Sequence, residues 1–183
     1  MSLLKKISSF GGREAIYDTK RSLSYAQLYR ASWALASQMT VKFRQAKKWP
    51  VENPRILYMT NRDVLHPMAQ FATWHLDGVA VPISSSSTTD EIEFFAKNSQ
   101  ADMIIAHKDF KKKLEVVKTG LDDIPIYQLD DNDVTLMTKS LLSRHLLKPM
   151  PANQDAMIVH TSGTTGTPKG VVHTHGSLEA MMV

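Results

Sequence analysis

Short apolar runs alternate along the chain with longer segments in which apolar residues recur every three or four positions. The short runs are typical of buried strands, and the longer segments are typical of amphipathic helices. The predicted strands are Glu14–Asp18, Arg55–Met59, Val79–Ile83, Asp102–Ala106, Ile124–Leu129, Ala156–His160 and Gly170–Thr174. This alternation predicts an α/β fold with a largely parallel sheet and flanking helices.

Helix starts are marked by hydroxyl residues near the beginning of the periodic segments. Ser24, followed three positions later by Gln27, forms a capping-box pattern and predicts a helix to about Met39 or beyond. Thr88 or Thr89 is predicted to cap a later helix, because acidic residues fill its first turn. These local signals agree with the apolar periodicity that follows them.

Glycine, proline and polar clusters predict where elements end. Gly78 is predicted to form a left-handed helix cap, and Pro82 indicates an edge strand or a strand end. The acidic segment Asp130–Asp133 is predicted to be a turn, and residues 146–155 an internal surface linker. Ser177 is the predicted N-cap of the last helix.

The last strong strand leads into Thr161–Gly170, which reads Thr-Ser-Gly-Thr-Thr-Gly-Thr-Pro-Lys-Gly. Glycines permit a tight turn, successive backbone N–H groups can bind an anion, and hydroxyls and a lysine add donors and charge. The stretch therefore predicts a phosphate-binding loop between the last two strands. The common phosphate-loop pattern is absent, because Pro168 stands where its second glycine is required. The alternative is a surface turn, which rarely carries these residues in this order.

Composition narrows the possible classes of protein. The 183 residues are 43% hydrophobic and 22% charged, as in ordinary globular domains, and include no cysteine for disulfides or thiol catalysis. No apolar run approaches the length of a membrane span, and the N-terminal residues lack a signal-peptide core. The net charge of +4 is scattered without aromatic interleaving, so nucleic-acid binding is not expected. We expect a cytoplasmic protein, with the mitochondrial matrix as the alternative.

Histidines and Ser162 offer other chemistry. His173 and His175 would share one strand face near His160, but no carboxylate pattern accompanies them and no metal site is predicted. Ser162 lacks the Gly-x-Ser-x-Gly setting of a hydrolase nucleophile. The remaining histidines are predicted to be surface or structural; they are His66, His75, His107 and His145.

The ten-residue stretch resembles the signature of the acyl-adenylate-forming enzymes, which include acyl-CoA synthetases, luciferases and the adenylation domains of peptide synthetases. The resemblance continues in Leu23–Leu28, Leu76–Ile83, the helix and strand from Glu91 to Ile105, and Val171–His175. It therefore covers most of the chain, as the N-terminal part of such an enzyme's large domain. In their local sequence, Ala80-Val81-Pro82 and Ala156-Met157-Ile158 are most similar to malonyl-CoA synthetase-like members of the family.

The resemblance implies that a carboxylic acid and ATP form an acyl-adenylate and pyrophosphate, and that the acyl group then passes to coenzyme A. Lys169 would counter phosphate charge and assist the departure of pyrophosphate as the catalytic residue. The resemblance implies nucleotide-binding roles for Thr161, Ser162, Gly163, Thr164, Thr165, Gly166, Lys169 and His175. The Mg²⁺ ligand is expected outside residues 1–183, so no metal ligand is assigned.

The family's later motifs are absent, so residues 1–183 are expected to be an incomplete N-terminal portion of an adenylate-forming domain that is inactive alone. The alternative hypothesis is a non-catalytic interaction module that self-associates through core exposed beyond the last helix. A stable monomer that binds nucleotide would favour the ligase, and a dimer that does not would favour the module.

Overall fold

The computed structural model describes residues 3–121, 123–139, 150–162 and 167–181. Within these ranges the helices are α1 Leu3–Ser9, α2 Tyr25–Gln45, α3 Leu65–His75, α4 Thr89–Asn98, α5 Lys111–Lys118, α6 Asp131–Thr138 and α7 His175–Ala180, with a 3₁₀ turn at Lys108–Phe110. The strands are β1 Glu14–Tyr17, β2 Ser22–Ser24, β3 Arg55–Met59, β4 Val79–Ile83, β5 Met103–His107, β6 Ile126–Leu129, β7 Asp155–Thr161 and β8 Lys169–Thr174. Helix α1 was not predicted from the sequence.

In the described part of the chain, a six-stranded sheet has the order β6-β5-β3-β4-β7-β8. Neighbouring strands from β6 to β7 run parallel, and β8 returns antiparallel to β7. Strands β1 and β2 form a separate antiparallel hairpin. The predicted α/β class is confirmed, and so is the position of the glycine-rich stretch between the last two strands of the sheet.

The two faces of the sheet are covered by different helices because successive strand residues point to opposite sides. In β3, Ile56 and Tyr58 join a core with side chains of α2, α3 and α6. Leu57 and Met59 face the other way and join a core with α4 and α5. Burial on both faces explains why the central strands read as continuous apolar runs rather than as alternating patterns.

Two helix starts follow the predicted local chemistry. The Ser24 side chain accepts a hydrogen bond from the Gln27 backbone N–H, and the Gln27 side chain accepts one from the Ser24 backbone N–H. Thr88 and Glu91 make the same reciprocal pair at the start of α4. The choice left open between Thr88 and Thr89 is thus settled for Thr88.

The predicted left-handed cap at Gly78 is wrong by one residue. Asp77 takes the left-handed conformation, with φ of +55°. Gly78 is required for space instead, because a Cβ atom there would overlap the carbonyl oxygen of Pro54. Pro54 lies directly before β3, so Gly78 lets the end of α3 pass close to the neighbouring strand.

One open local prediction is resolved, and two others are corrected. Strand β4 lies inside the sheet, so Pro82 marks a strand end and not an edge strand. The acidic segment is not a turn, because Asp130 caps α6 and the helix begins at Asp131. Thr174, and not the predicted Ser177, caps α7, and the backbone N–H of Ser177 donates to the Thr174 hydroxyl.

Of the predicted linker, residues 150–154 precede β7, and residues 146–149 lie outside the described ranges, as does His145.

Candidate phosphate-binding site

The two strands that flank the glycine-rich stretch bring three of its predicted ligands together. Thr161 ends β7 and pairs directly with Lys169, which begins β8. The Thr161 hydroxyl donates to the Lys169 carbonyl oxygen at 3.5 Å. Thr161, Ser162 and Lys169 are all exposed to solvent. Two hydroxyls and one ammonium group are therefore presented at the loop end of the β7–β8 hairpin, which we call the hairpin mouth.

This hairpin mouth lies at the carboxyl edge of the parallel sheet. Strand β7 runs parallel to β4, so Thr161 lies at the edge where β3, β4 and β5 also end. Ligands of open α/β sheets bind at this edge, outside the carboxyl ends of the strands. The chain position and the sheet topology thus agree on where a ligand would bind.

The centre of the predicted loop lies outside the described residues. These four positions, all predicted nucleotide ligands, are Gly163, Thr164, Thr165 and Gly166. Thr167 is exposed, and the chain continues through Pro168 into β8. Roles for the four central residues therefore stay predictions.

The structure separates His175 from the other predicted ligands. His175 begins α7, directly after Thr174, and Thr174 lies about 17 Å from Lys169 at roughly 3.3 Å per strand residue. Its side chain is 2% exposed, and its ring packs edge-on against Trp74 at a centroid distance of 5.4 Å. Burial lowers its pKa. His175 is therefore packed against α3, and its implied role in nucleotide binding stays a prediction.

The structure places the three histidines near the hairpin on different elements, with His160 in β7. His173 lies in β8 and His175 in α7, so the expected shared strand face does not exist. Across the ranges 3–121, 123–139, 150–162 and 167–181, no three His, Asp or Glu side chains are grouped as metal ligands. The described residues therefore assign no Mg²⁺ ligand, and we derive no step through this ion.

A cavity of about 480 Å³ opens at the same carboxyl edge, between the segments that follow β3 and β4 and the β1–β2 hairpin. Asp18 in its wall accepts hydrogen bonds from the backbone N–H groups of Lys20 and Arg21 at 2.8 Å each, and of Val64 at 3.2 Å. Burial raises the pKa of Asp18, but these hydrogen bonds outweigh it and hold the pKa below its usual value. The carboxylate therefore connects the β1–β2 hairpin to the start of α3 through hydrogen bonds. The sequence analysis did not predict this connection.

A second cavity, of about 610 Å³, lies at the opposite, amino edge of the sheet. Arg55, Asp102 and Gln154 are among the polar residues that line it. The Asp102 carboxylate accepts from the Arg55 backbone N–H at 2.8 Å, and the Gln154 amide donates to the Asp77 carbonyl at 2.9 Å. These groups are used in joining strands and loops, and the cavity lies away from the hairpin mouth.

The sheet and the ten-residue motif at its carboxyl edge define an α/β domain of the acyl-adenylate-forming class. Comparison with known families agrees, since the family described as AMP-binding enzyme matches residues 4–183. The chain belongs to this family.

Its relatives include proteins named malonate–CoA ligase ACSF3, mitochondrial. The mouse protein (Mus musculus) is 28% identical over 174 residues, and the human protein (Homo sapiens) is 29% identical over 174 residues. Each alignment covers 95% of this chain and 30% of the relative. The chain thus spans about 30% of the length of these relatives. The similarity to malonyl-CoA synthetase-like members is confirmed.

Solved structures confirm the fold. The N-terminal domain of FACL13 from Mycobacterium tuberculosis matches with a TM-score of 0.80 at 20% identity, covering 98% of this chain and 46% of that one. ATP-bound MatB from Rhodopseudomonas palustris matches with a TM-score of 0.80 at 18% identity, covering 99% of this chain and 36% of that one. The fold is that of the N-terminal part of acyl-CoA synthetases.

Proposed function

We propose that this chain is the phosphate-binding part of an ATP-dependent carboxylic acid–CoA ligase. The carboxylate of the acid attacks the α-phosphorus of ATP, which forms an acyl-adenylate and releases pyrophosphate. The thiol of coenzyme A then takes the acyl group as a thioester, and AMP leaves. The observation that carries the proposal is the hairpin mouth, where the family motif presents Thr161, Ser162 and Lys169 at the carboxyl edge of the sheet.

The proposed roles follow from charge and hydrogen-bonding capacity. Thr161 and Ser162 donate hydroxyl hydrogen bonds to phosphate oxygens, and Lys169 offsets the charge that develops as pyrophosphate leaves. The central loop residues 163–166 add backbone N–H groups and further hydroxyls in this proposal. Donors held in place before the reaction are the main catalytic contribution that proteins make to reactions of phosphates.

The chain by itself is proposed to bind nucleotide without completing the reaction. It spans about 30% of its relatives, and its described residues hold no group of metal ligands. The Mg²⁺ and coenzyme A sites are therefore proposed to depend on further sequence of the kind that its relatives carry. None of the described helices is long and apolar enough to cross a membrane.

Calorimetric titration with MgATP and with pyrophosphate tests the proposal. Lys169→Ala is expected to weaken binding at least about tenfold, because it removes a charged hydrogen-bond donor. Lys118→Ala is the matched control, since this exposed lysine ends α5 at the amino edge of the sheet and its loss makes the same change in net charge. Equal affinities for the two variants would contradict the proposal.

An ATP–pyrophosphate exchange assay tests the second half of the proposal. Malonate is the first acid to add, because relatives are named malonate–CoA ligase. We expect no exchange from the 183-residue chain, and robust exchange would refute its proposed inactivity.

The names of the same relatives make the mitochondrial matrix a candidate compartment beside the cytoplasm.

Self-association is the second candidate function, and one observation favours it. Strand β8 is the last strand of the described sheet, and Val171 and Val172 on it are 43% and 51% exposed. Exposed apolar edge strands are templates for pairing with another chain. Size-exclusion chromatography with light scattering, with and without ATP, separates the two candidates. A nucleotide-binding monomer supports the ligase part, and a dimer that does not bind nucleotide supports the interaction module.

A further inference from the structure

A side-chain hydrogen bond connects the hairpin to helix α4 directly beside the predicted phosphate loop. His160 precedes Thr161 in β7, and Asn98 is the last residue of α4. The Nε2 atom of His160 lies 3.1 Å from the Oδ1 atom of Asn98. The His160 ring also packs on Phe95 of the same helix, at a centroid distance of 4.5 Å. This histidine therefore contacts α4 through both its polar and its apolar surfaces.

Backbone pairing with β4 is short along this part of the hairpin. Within the described strands, the pairing of β4 with β7 is confined to Ala80 and Met157, near the start of β7. The ladder between β7 and β8, in contrast, continues to Thr161 and Lys169. The backbone pairing with β4 thus stops before the loop-bearing end of the hairpin. There Ile158 is buried in one core with Val81 and Ile83 of β4, and His160 adds the contacts with α4.

Gly170 provides the space for the hydrogen bond. It pairs with His160 across the hairpin, and a Cβ atom at position 170 would lie 3.3 Å from Asn98 Oδ1 and 3.4 Å from His160 Nε2. The same atom would lie 3.1 Å from a methyl carbon of Ile158. Gly170 does not take a left-handed conformation, so backbone freedom does not explain a glycine here. An added Cβ atom would crowd Ile158 most closely and the two hydrogen-bonded atoms slightly less.

The hydrogen bond also sets the state of the imidazole. An amide oxygen accepts hydrogen bonds, so the contact places the ring proton on Nε2. Nδ1 is buried and has no hydrogen-bond partner among the described residues. Burial lowers the pKa of His160, so the ring stays neutral near pH 7. A single neutral form keeps the ring in one orientation against α4.

We infer that His160 and Asn98 are positioning residues that hold the β7–β8 hairpin on α4, and that Gly170 leaves space for their hydrogen bond. By holding the hairpin, they place Thr161 and Lys169 for phosphate binding. The inference that these residues assist phosphate binding rests on the proposed function. The inference that they hold the hairpin on α4 rests on the contacts alone. The two can therefore be tested separately in the full 183-residue chain.

Asn98→Ala tests the hairpin contact by amide hydrogen exchange. Asn98 is exposed at the end of its helix, so the fold is expected to persist without it. The amides of the β7–β8 ladder near Thr161 are expected to exchange about three- to tenfold faster, which corresponds to one net hydrogen bond. Asn132→Ala makes the same change at an exposed position of α6 and should leave that ladder unchanged. Equal exchange in the two variants would overturn the inference.

Asn98→Asp adds a second measurement, the pKa of His160, which should change only if the two side chains are in contact. A carboxylate at position 98 keeps the acceptor oxygen and stabilises a positive imidazolium, so the pKa of His160 measured by NMR should rise. An unchanged His160 titration would show that the two side chains do not meet and would also overturn the inference. Gly170→Ala should speed hairpin exchange in the same way as Asn98→Ala.

Titration with MgATP and pyrophosphate then addresses the purpose of the contact. Asn98→Ala should weaken binding about three- to tenfold while Asn132→Ala binds like the unmodified chain. If the unmodified chain binds neither ligand, the proposed function and the phosphate-binding purpose fail, but faster hairpin exchange would still support the holding role. If the unmodified chain binds and Asn98→Ala binds equally well, the positioning inference fails and the proposed function stands.

Discussion

The imidazole of His75, at the end of α3, is enclosed between α2 and α3. Its ring stacks on Trp33 at a centroid distance of 4.3 Å and meets Tyr29 edge-on at 5.1 Å. Its Nε2 atom lies 2.9 Å from the hydroxyl oxygen of Ser32, which itself donates to the Tyr29 carbonyl. Part of the side chain meets solvent, but Nδ1 is buried and has no hydrogen-bond partner among the described residues. This enclosure lowers the pKa of His75 to about 3.

The sign of the pH effect follows from this depressed pKa. In the unfolded chain the His75 pKa returns to its ordinary value of 6.5, so the unfolded state binds a proton that the folded state does not. The stability contributed by neutral His75 is therefore complete above pH 6.5 and is lost as pH falls toward 3. Between pH 7 and pH 5 the loss is about 2 kcal/mol, at about 1.4 kcal/mol per pH unit once the unfolded histidine is protonated.

Urea unfolding at pH 7 and pH 5 measures this loss in the unmodified chain and in His75→Phe. Phenylalanine keeps an aromatic ring against Trp33 but cannot titrate, so the pH-dependent loss of stability should be smaller by about 2 kcal/mol. The other histidines titrate in both chains and cancel in the difference. Ser32→Ala is the control, because it breaks the hydrogen bond but leaves His75 able to titrate. An equal pH dependence in His75→Phe and the unmodified chain would refute the reasoning.

Two further substitutions test the packing around the sheet by the same unfolding measurement at pH 7. Asp18→Ala should lower the free energy of unfolding by about 2 kcal/mol, because backbone N–H groups in the β1–β2 turn and before α3 lose their acceptor; a change below about 0.5 kcal/mol would contradict this. Gly78→Ala should cost about 1–3 kcal/mol through overlap with Pro54, whereas Gly12→Ala, where an added Cβ meets no described atom within 4 Å, should cost little. Similar effects at the two glycines would show that the helix end adjusts.

The local elements could be predicted because their signals lie within a few residues of each other. The capping box joins Ser24 and Gln27, which are three positions apart, and needs no tertiary contact. The apolar runs of the central strands likewise predicted their bounds closely, as at Arg55–Met59. Helix α1 lacked such a signal, because its apolar residues Leu4 and Ile7 are stabilised by packing against Trp74 and residues near β7 and α7.

The candidate site was predictable as a motif but not as an arrangement. The order of residues in Thr161–Gly170 was sufficient to indicate a phosphate-binding loop of the acyl-adenylate-forming class. The resemblance to the family also placed His175 among the nucleotide ligands, and only the structure shows that β8 leads away from Lys169, so that His175 follows at the opposite edge of the sheet. Spacing along the chain cannot show which way a strand leads from a site.

The sequence by itself therefore determined the α/β class, the main helix starts and the family motif, since each depends on residues that are near neighbours in the chain. Only the tertiary structure decided the strand order, the enclosure of His75 and the anchoring of the hairpin on α4. The contacts responsible join residues 43 positions apart in Ser32 and His75, and 62 positions apart in Asn98 and His160. Such pairs have no local signature, because folding alone brings the side chains together.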